Sequence, residues 1–354
     1  MRAQIMPGLP LLGLALLACK PGPDPNRVDR RGAAEAPEPA IPSAASDPAT
    51  PARPRVIVEG GPDVEGGPRY RIEVPDPSHA RGAGPRVGID IAHNNYAMPH
   101  NYDVFADALR ADGFVVSTLE HSLDADALAG LELLVVVNPL HDSNLDNWAL
   151  PVPSAFGPEE LEAIEAWVSG GGSLWLIADH MPFPGAAADL GARFGFTLNN
   201  GFAFREPEPG RVDRSMIQFR REDATIVAGH PITAGLEQVQ SFTGEAFEAP
   251  PEAATLLVMP DDGVSLMPAV AWEFDADTPK QAVGGWPVAA VREFEGGRVA
   301  VFGEAAMLSA RFVEQGDEWI PVGVHAPAAR DNLALVLATA RWLMADSQMG
   351  VISK

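Results

Sequence analysis

Between residues 86 and 194, short apolar runs alternate with helical patterns, and this alternation limits the fold more than any other feature of the chain. Val87–Ala92, Phe114–Thr118, Leu131–Val137 and Ser173–Ala178 read as strands. A strand with one wet face alternates apolar and polar residues, whereas a nearly continuous apolar run such as Leu131–Val137 suits a strand covered on both faces. Tyr102–Arg110 reads as a helix with Phe105, Ala108 and Leu109 on one side. The helix beginning at Pro158 is the most strongly signalled. Proline is tolerated in the first turn, and Glu159 and Glu160 sit at the positive end of the dipole. Leu161, Ile164 and Val168 form its apolar stripe, and Gly170-Gly171-Gly172 ends it. A shorter helix follows near Ala186–Phe194.

Such a series implies an α/β fold: a flavodoxin-like parallel sheet with helices on both faces, in strand order 2-1-3-4-5. The later chain is more β-like, with Thr255–Met259, Val288–Phe294 and Arg298–Phe302 as strands. Added β-hairpins are therefore expected in the C-terminal half. Glu295-Gly296-Gly297 reads as one hairpin turn and Asn199-Asn200-Gly201 as another. A last helix carries Leu333, Val336, Leu337, Ala340 and Leu343. No linker-like stretch interrupts residues 85–346, which read as one domain, with 347–354 as a tail.

The N-terminus has a different character. Arg2 is followed by an apolar run from Leu9 to Leu17. That run is short of the ~20 apolar residues of a spanning helix. It suits the h-region of a signal peptide covering residues 1–18. Leu16-Leu17-Ala18-Cys19 resembles a lipobox, in which the cysteine is lipidated and becomes the new N-terminus. Nine prolines then fall among Ala, Asp, Ser and Arg in residues 20–55, the composition of a disordered tether. Residues 56–84 hold two short strand-like runs, Val56–Val58 and Tyr70–Val74, punctuated by Gly-Gly-Pro. The expected location is the cell envelope, held to the membrane through an N-terminal lipid. Lys20, where enteric-type sorting would place an inner-membrane Asp, points to the outer membrane facing the periplasm.

Cys19 is the only cysteine, so its lipidation leaves the domain with no disulfide, Cys-ligated zinc or Cys nucleophile. A formal net charge of −23 argues against nucleic-acid partners, because phosphates need a basic surface. No G-x-S-x-G elbow occurs, which disfavours a serine hydrolase of that type.

Open α/β sheets bind ligands beyond the carboxyl ends of their strands. There the chain places Asp90-Ile-Ala-His93-Asn94-Asn95, Glu120-His121, His141-Asp142, Asp179-His180 and Glu304. His100 and Tyr102 open the first helix. In the expected strand order His93, His141 and His180 share a rim with Asp90, Asp179 and Glu304. Asp179, His180, His93 and Glu304 are the candidates for catalysis, and Asp90, Asn94, Asn95, His100 and His141 for ligand binding. His93, His141, His180 and Asp179 are the residues that could hold a divalent metal ion such as zinc, manganese or iron. Each residue taken singly also suits a turn or a helix cap. His230-Pro-Ile-Thr-Ala-Gly-Leu236 reads as a rigid turn, and Trp272 and Trp286 as core residues or a wall for a sugar ring.

Gly88-Ile-Asp-Ile-Ala-His-Asn-Asn95, Asn101-Tyr-Asp-Val-Phe105, Trp167-Val-Ser-Gly-Gly-Gly-Ser173 and His230–Leu236 resemble the class I glutamine amidotransferase-like fold, in its trehalose-utilisation-type and bacterial lipoprotein branches. The resemblance spans about residues 86–345. It implies the fold, and it implies that Ala178-Asp179-His180-Met181 occupies the turn that presents a nucleophilic cysteine in the amidotransferases. That cysteine is absent here, so glutaminase activity is not implied. Two functions stay open: a hydrolase or sugar-modifying enzyme acting on a small polar or carbohydrate ligand, and a non-catalytic ligand-binding or scaffold lipoprotein.

Overall fold

The computed structural model describes residues 53–62, 67–95, 103–316 and 318–345. The expected signal peptide, Cys19 and its tether as far as residue 52, His100 and Tyr102, and the tail lie outside these residues, while Arg55, at the end of the expected tether, already opens a strand. Two compact units are separated. One joins 53–312 to 321–345; the described part of the other is 313–316 and 318–320. Everything below concerns the first unit.

In chain order the elements begin with β1 (Arg55–Glu59), β2 (Arg69–Glu73), β3 (Arg86–Asp90), α1 (Asp103–Ala111), β4 (Val115–Leu119), α2 (Ala125–Leu128), β5 (Leu133–Val137), α3 (Pro158–Ser169), β6 (Ser173–Ile177) and α4 (Phe183–Arg193). The second half holds β7 (Phe202–Glu208), β8 (Arg211–Asp213), β9 (Gln218–Arg220), β10 (Gln238–Gln240), β11 (Ala254–Val258), β12 (Gly263–Leu266) and β13 (Lys280–Ala282). It closes with β14 (Pro287–Phe294), β15 (Gly297–Phe302), β16 (Ala310–Gln315), β17 (Glu318–Gly323) and α5 (Asn332–Leu343).

The main sheet has seven strands in the order β11-β14-β15-β6-β5-β3-β4. β4, β3, β5, β6 and β15 run parallel, so the parallel part has the expected 2-1-3-4-5 order. β14 and β11 add an antiparallel edge. β5 and β6 are buried at every residue, as their apolar runs require. On one face, Leu134, Val136, Leu174, Leu176 and Val301 pack against Leu161 and Ile164 of α3 and Ala187 and Leu190 of α4. On the other, Trp175 sits edge-on between Phe105 of α1 and Phe302 of β15, with ring centroids 5.3 and 5.2 Å away. α5 lies on this second face, against β6 and β15. The Gly-rich end of α3 permits a tight approach by the β14–β15 turn, since a Cβ on Gly297 would stand 2.0 Å from the Gly172 carbonyl oxygen.

The two short runs in 56–84 pair as an antiparallel hairpin, β1–β2. Val56, Tyr70 and Ile72 pack it on Val104 and Ala108 of α1 and Leu333 and Leu337 of α5. Asn199-Asn200-Gly201 is not a hairpin turn. It joins α4 to β7, a member of a second sheet ordered β13-β12-β7-β8. β7 instead pairs with β12, which is distant in the sequence, and turns back to β8 through Gly210.

Candidate active site

The rim divides into two groups. The first is built on the turn after β3. The Asp90 carboxylate is buried and receives His93 Nδ1, with both oxygens at 3.0 Å, and Asn95 Nδ2 at 3.2 Å. His93 Nε2 meets Glu160 Oε1 at 3.1 Å, and the ring packs on Phe156. Glu160 also accepts from Ser122 Oγ and the Leu123 and Gly157 amides. Burial opposes a charge on His93. The hydrogen bonds and charges of Asp90 and Glu160 outweigh it and hold the imidazole above its ordinary range. For Glu160 burial is likewise outweighed, by the amides of Gly157 and Leu123, the Ser122 hydroxyl and the His93 charge, so it stays below the usual carboxylate range. With a carboxylate against each ring nitrogen, His93 ties the β3 turn to the start of α3.

Asn94 takes a left-handed backbone (φ 48°) and donates to the Leu140 carbonyl and to Asp142. His141 Nδ1 accepts from the Ser143 amide at 3.1 Å and so caps the following turn. His93, Asn94, His141 and Asp142 line a cleft of about 300 Å³ together with Ser154 and Gly157. It lies between the ends of β3 and β5, where the strand order reverses and open α/β sheets bind ligands. Glu120 and His121, after β4, are exposed.

The second group lies at the ends of β6 and β15. Asn138, left-handed at φ 47°, accepts the Asp179 amide on Oδ1 at 2.8 Å. Asp179 Oδ1 accepts the His180 amide at 2.9 Å, so the two side chains diverge. The His180 ring enters an aromatic pocket, stacked on Phe202 at 4.6 Å and edge-on to Trp272 at 4.6 Å. Its Nδ1–H donates to the Met181 carbonyl at 2.7 Å, which leaves Nε2 as the acceptor nitrogen. Burial pushes the His180 imidazole down and keeps it neutral.

Facing Asp179 are two glutamates, each fully buried. Glu304 accepts the Met307 amide on Oε2 at 2.7 Å, and Glu245 accepts the Asn199 amide on Oε2. The Oε1 atom of each is buried with no partner. The Glu245 amide donates to the Gly303 carbonyl at 2.7 Å, which sets the segments Gly244-Glu245-Ala246 and Gly303-Glu304-Ala305 side by side. Both glycines are needed. A Cβ on Gly303 would stand 2.5 Å from the Glu245 carbonyl oxygen, and one on Gly244 2.2 Å from that of Gly303.

Burial pushes Glu304 and Glu245 well above the carboxylate range, and the Asp179 charge raises both further. Burial also raises Asp179, opposed by His180, the His180 amide, the Arg311 charge and the Asn138 side chain. Asp179 is 7% exposed and the two glutamates 0%. The group thus consists of one carboxyl that reaches the surface and two fully buried ones behind it, which burial holds well above the carboxylate range. Titratable groups with such divided environments are what acid–base chemistry needs.

No family model matches the chain. No curated protein matches it either. Among solved structures it is similar to the N-terminal domain of mmIFT52, with a TM-score of 0.50 and 13% identity over 74% of this chain and 98% of that one. A ThuA-like protein from Bacteroides uniformis gives 0.43 and 14% over 78% and 95%. The cytoplasmic protein STM3548 from Salmonella typhimurium gives 0.40 and 13% over 73% and 98%. At 13% identity the likeness to mmIFT52 shows the fold alone.

Asp179 and Glu304 are brought together, as their strand-end positions led us to expect. The four metal candidates are not. His93 is saturated and His141 caps a turn, while the His180 ring lies among aromatics. Among the described residues no three His, Cys, Asp or Glu side chains form a group that could hold a metal ion. Sequence reasoning placed Asn138 at the rim without a role, and missed Glu245, Glu160 and Arg311 as site residues. The repeated Gly-Glu-Ala was the available signal for Glu245.

Proposed function

We propose that this chain is a lipid-anchored envelope protein whose amidotransferase-like domain performs thiol-free acid–base hydrolysis on a small polar or carbohydrate substrate. One observation carries the reading: Glu245 and Glu304 are fully buried, each with an unpartnered oxygen and a pKa pushed well above the carboxylate range, beside Asp179, which touches solvent. Asp179 would take a proton from water as the water attacks. Glu304, already protonated, would deliver one to the leaving oxygen. Glu245 would keep a second proton in the group and so limit its negative charge. The neutral His180 would hold the turn through Met181 rather than act as the base.

The test is a screen of nitrophenyl glycosides and esters, followed by Asp179→Asn and Glu304→Gln in the full chain. Each should lower turnover about 10²- to 10⁴-fold, the usual contribution of a positioned acid or base, with melting temperature retained. Stable variants with full activity would refute it. A non-catalytic, ligand-binding lipoprotein is the second reading. It is favoured by the cleft between β3 and β5, whose histidines are already engaged in holding the fold.

A further inference from the structure

Arg311 is the second residue of β16, just after the turn that carries Glu304. The chain has 48 acidic and 25 basic residues, so cations find carboxylates easily. Arg53, Arg205 and Arg341 each have one at ion-pair distance. Arg311 is half-buried, and among the described residues it has no hydrogen bond or ion pair. Its Nε is buried without a partner, whereas the two Nη groups, also unpartnered, retain some exposure. Leaving a buried guanidinium donor unmade is costly. The charge is close enough to favour the ionised forms of Asp179 and Glu304. Yet neither carboxyl binds it.

We propose that Arg311 selects substrates bearing an oxyanion, a carboxylate or a phosphate, and seats that group beside Asp179. This rests on the acid–base reading of the same site. A planar guanidinium approached at its Nη edge gives an oxyanion two parallel donors, a match that an ammonium group cannot reproduce. The rest of the surface, at −23, repels anions. An unpaired arginine beside Asp179 and Glu304 offsets that repulsion locally. A neutral sugar would gain nothing from it.

The probes are galacturonate and glucose 6-phosphate, set against galactose and glucose, titrated calorimetrically into the full chain. Wild type should bind at least one acidic sugar about tenfold or more tighter than its neutral counterpart, as charge-assisted pairing provides. Which acidic sugar wins distinguishes carboxylate from phosphate. Arg311→Gln should abolish the preference and Arg311→Lys should restore part of it, both with unchanged melting. Equal binding of neutral and acidic sugars, a preference that survives in Arg311→Gln, or no binding of any probe would overturn the inference. The acid–base reading fails separately, if Asp179→Asn keeps full turnover on whichever substrate the hydrolase screen finds.

Discussion

His325 follows β17, and its ring is held edge-on between Tyr70 and Phe312, with centroids 5.3 and 5.0 Å away. Both ring nitrogens are buried and unpartnered. No charged group stabilises the imidazolium, and burial alone pushes its pKa from 6.5 to about 4. The folded pKa is therefore depressed. Above pH 6.5 the residue is neutral folded or unfolded and has no effect. As pH falls from 6.5 towards 4 the unfolded chain takes up a proton that the folded one refuses, and stability is lost. A change from 6.5 to about 4 corresponds to a ceiling of ~3.4 kcal/mol by linkage. Partial exposure of the residue reduces this to roughly 2 kcal/mol, about half of it lost by pH 5. His325→Phe removes the titrating group and keeps an aromatic ring, and His325→Leu serves as a second variant. Urea unfolding at pH 8, 6.5, 5.5 and 5 should show a constant offset between wild type and variant down to pH 6.5. Below that the variant should gain roughly 1 kcal/mol on wild type by pH 5. A pH-independent offset would refute the reasoning, as would an NMR titration of His325 near pH 6.5.

Other predictions test separate parts of the molecule. Asp112 is fully buried and binds the Ser78 amide at 2.8 Å and Arg341 Nε at 2.8 Å. Asp112→Ala should cost about 3 kcal/mol by leaving those donors unpaired, and Asp112→Ala with Arg341→Met should recover part of it in denaturant titration. Burial raises Glu304 above its ordinary pKa, so the unfolded chain ionises first and Glu304 destabilises the protein increasingly as pH rises from about 4.5. Glu304→Gln should accordingly be as stable as wild type or more so at pH 8, with the gain shrinking towards pH 4.5. A large loss of stability at pH 8 would mean that the buried group is an anion. Cys19→Ser should move the protein from the membrane to the soluble envelope fraction, and unchanged membrane association would sink the anchor proposal.

The architecture was legible because it rests on local patterns. The apolar runs at 133–137 and 173–177 can only be interior strands, and Pro158 with Glu159 and Glu160 marks a helix start through backbone and dipole effects that act within one turn. The parallel order and the polar residues at strand ends follow from these elements. What remained hidden is non-local. Glu245 lies in an irregular stretch without a period, and a hydrogen bond from its amide to the Gly303 carbonyl brings it to Glu304. The pairing of β7 with β12 joins segments whose own residues carry no sign of each other. His93 looked like a reactive histidine because sequence shows the residue type at a strand end. Its second nitrogen is engaged by Glu160, which arrives from α3 far along the chain. The sequence by itself thus determined which segments are strands and helices and which polar residues stand at the rim. Tertiary structure alone decided which of those are free to react, because a side chain's pKa and lone pairs depend on neighbours that the fold brings in from elsewhere in the chain.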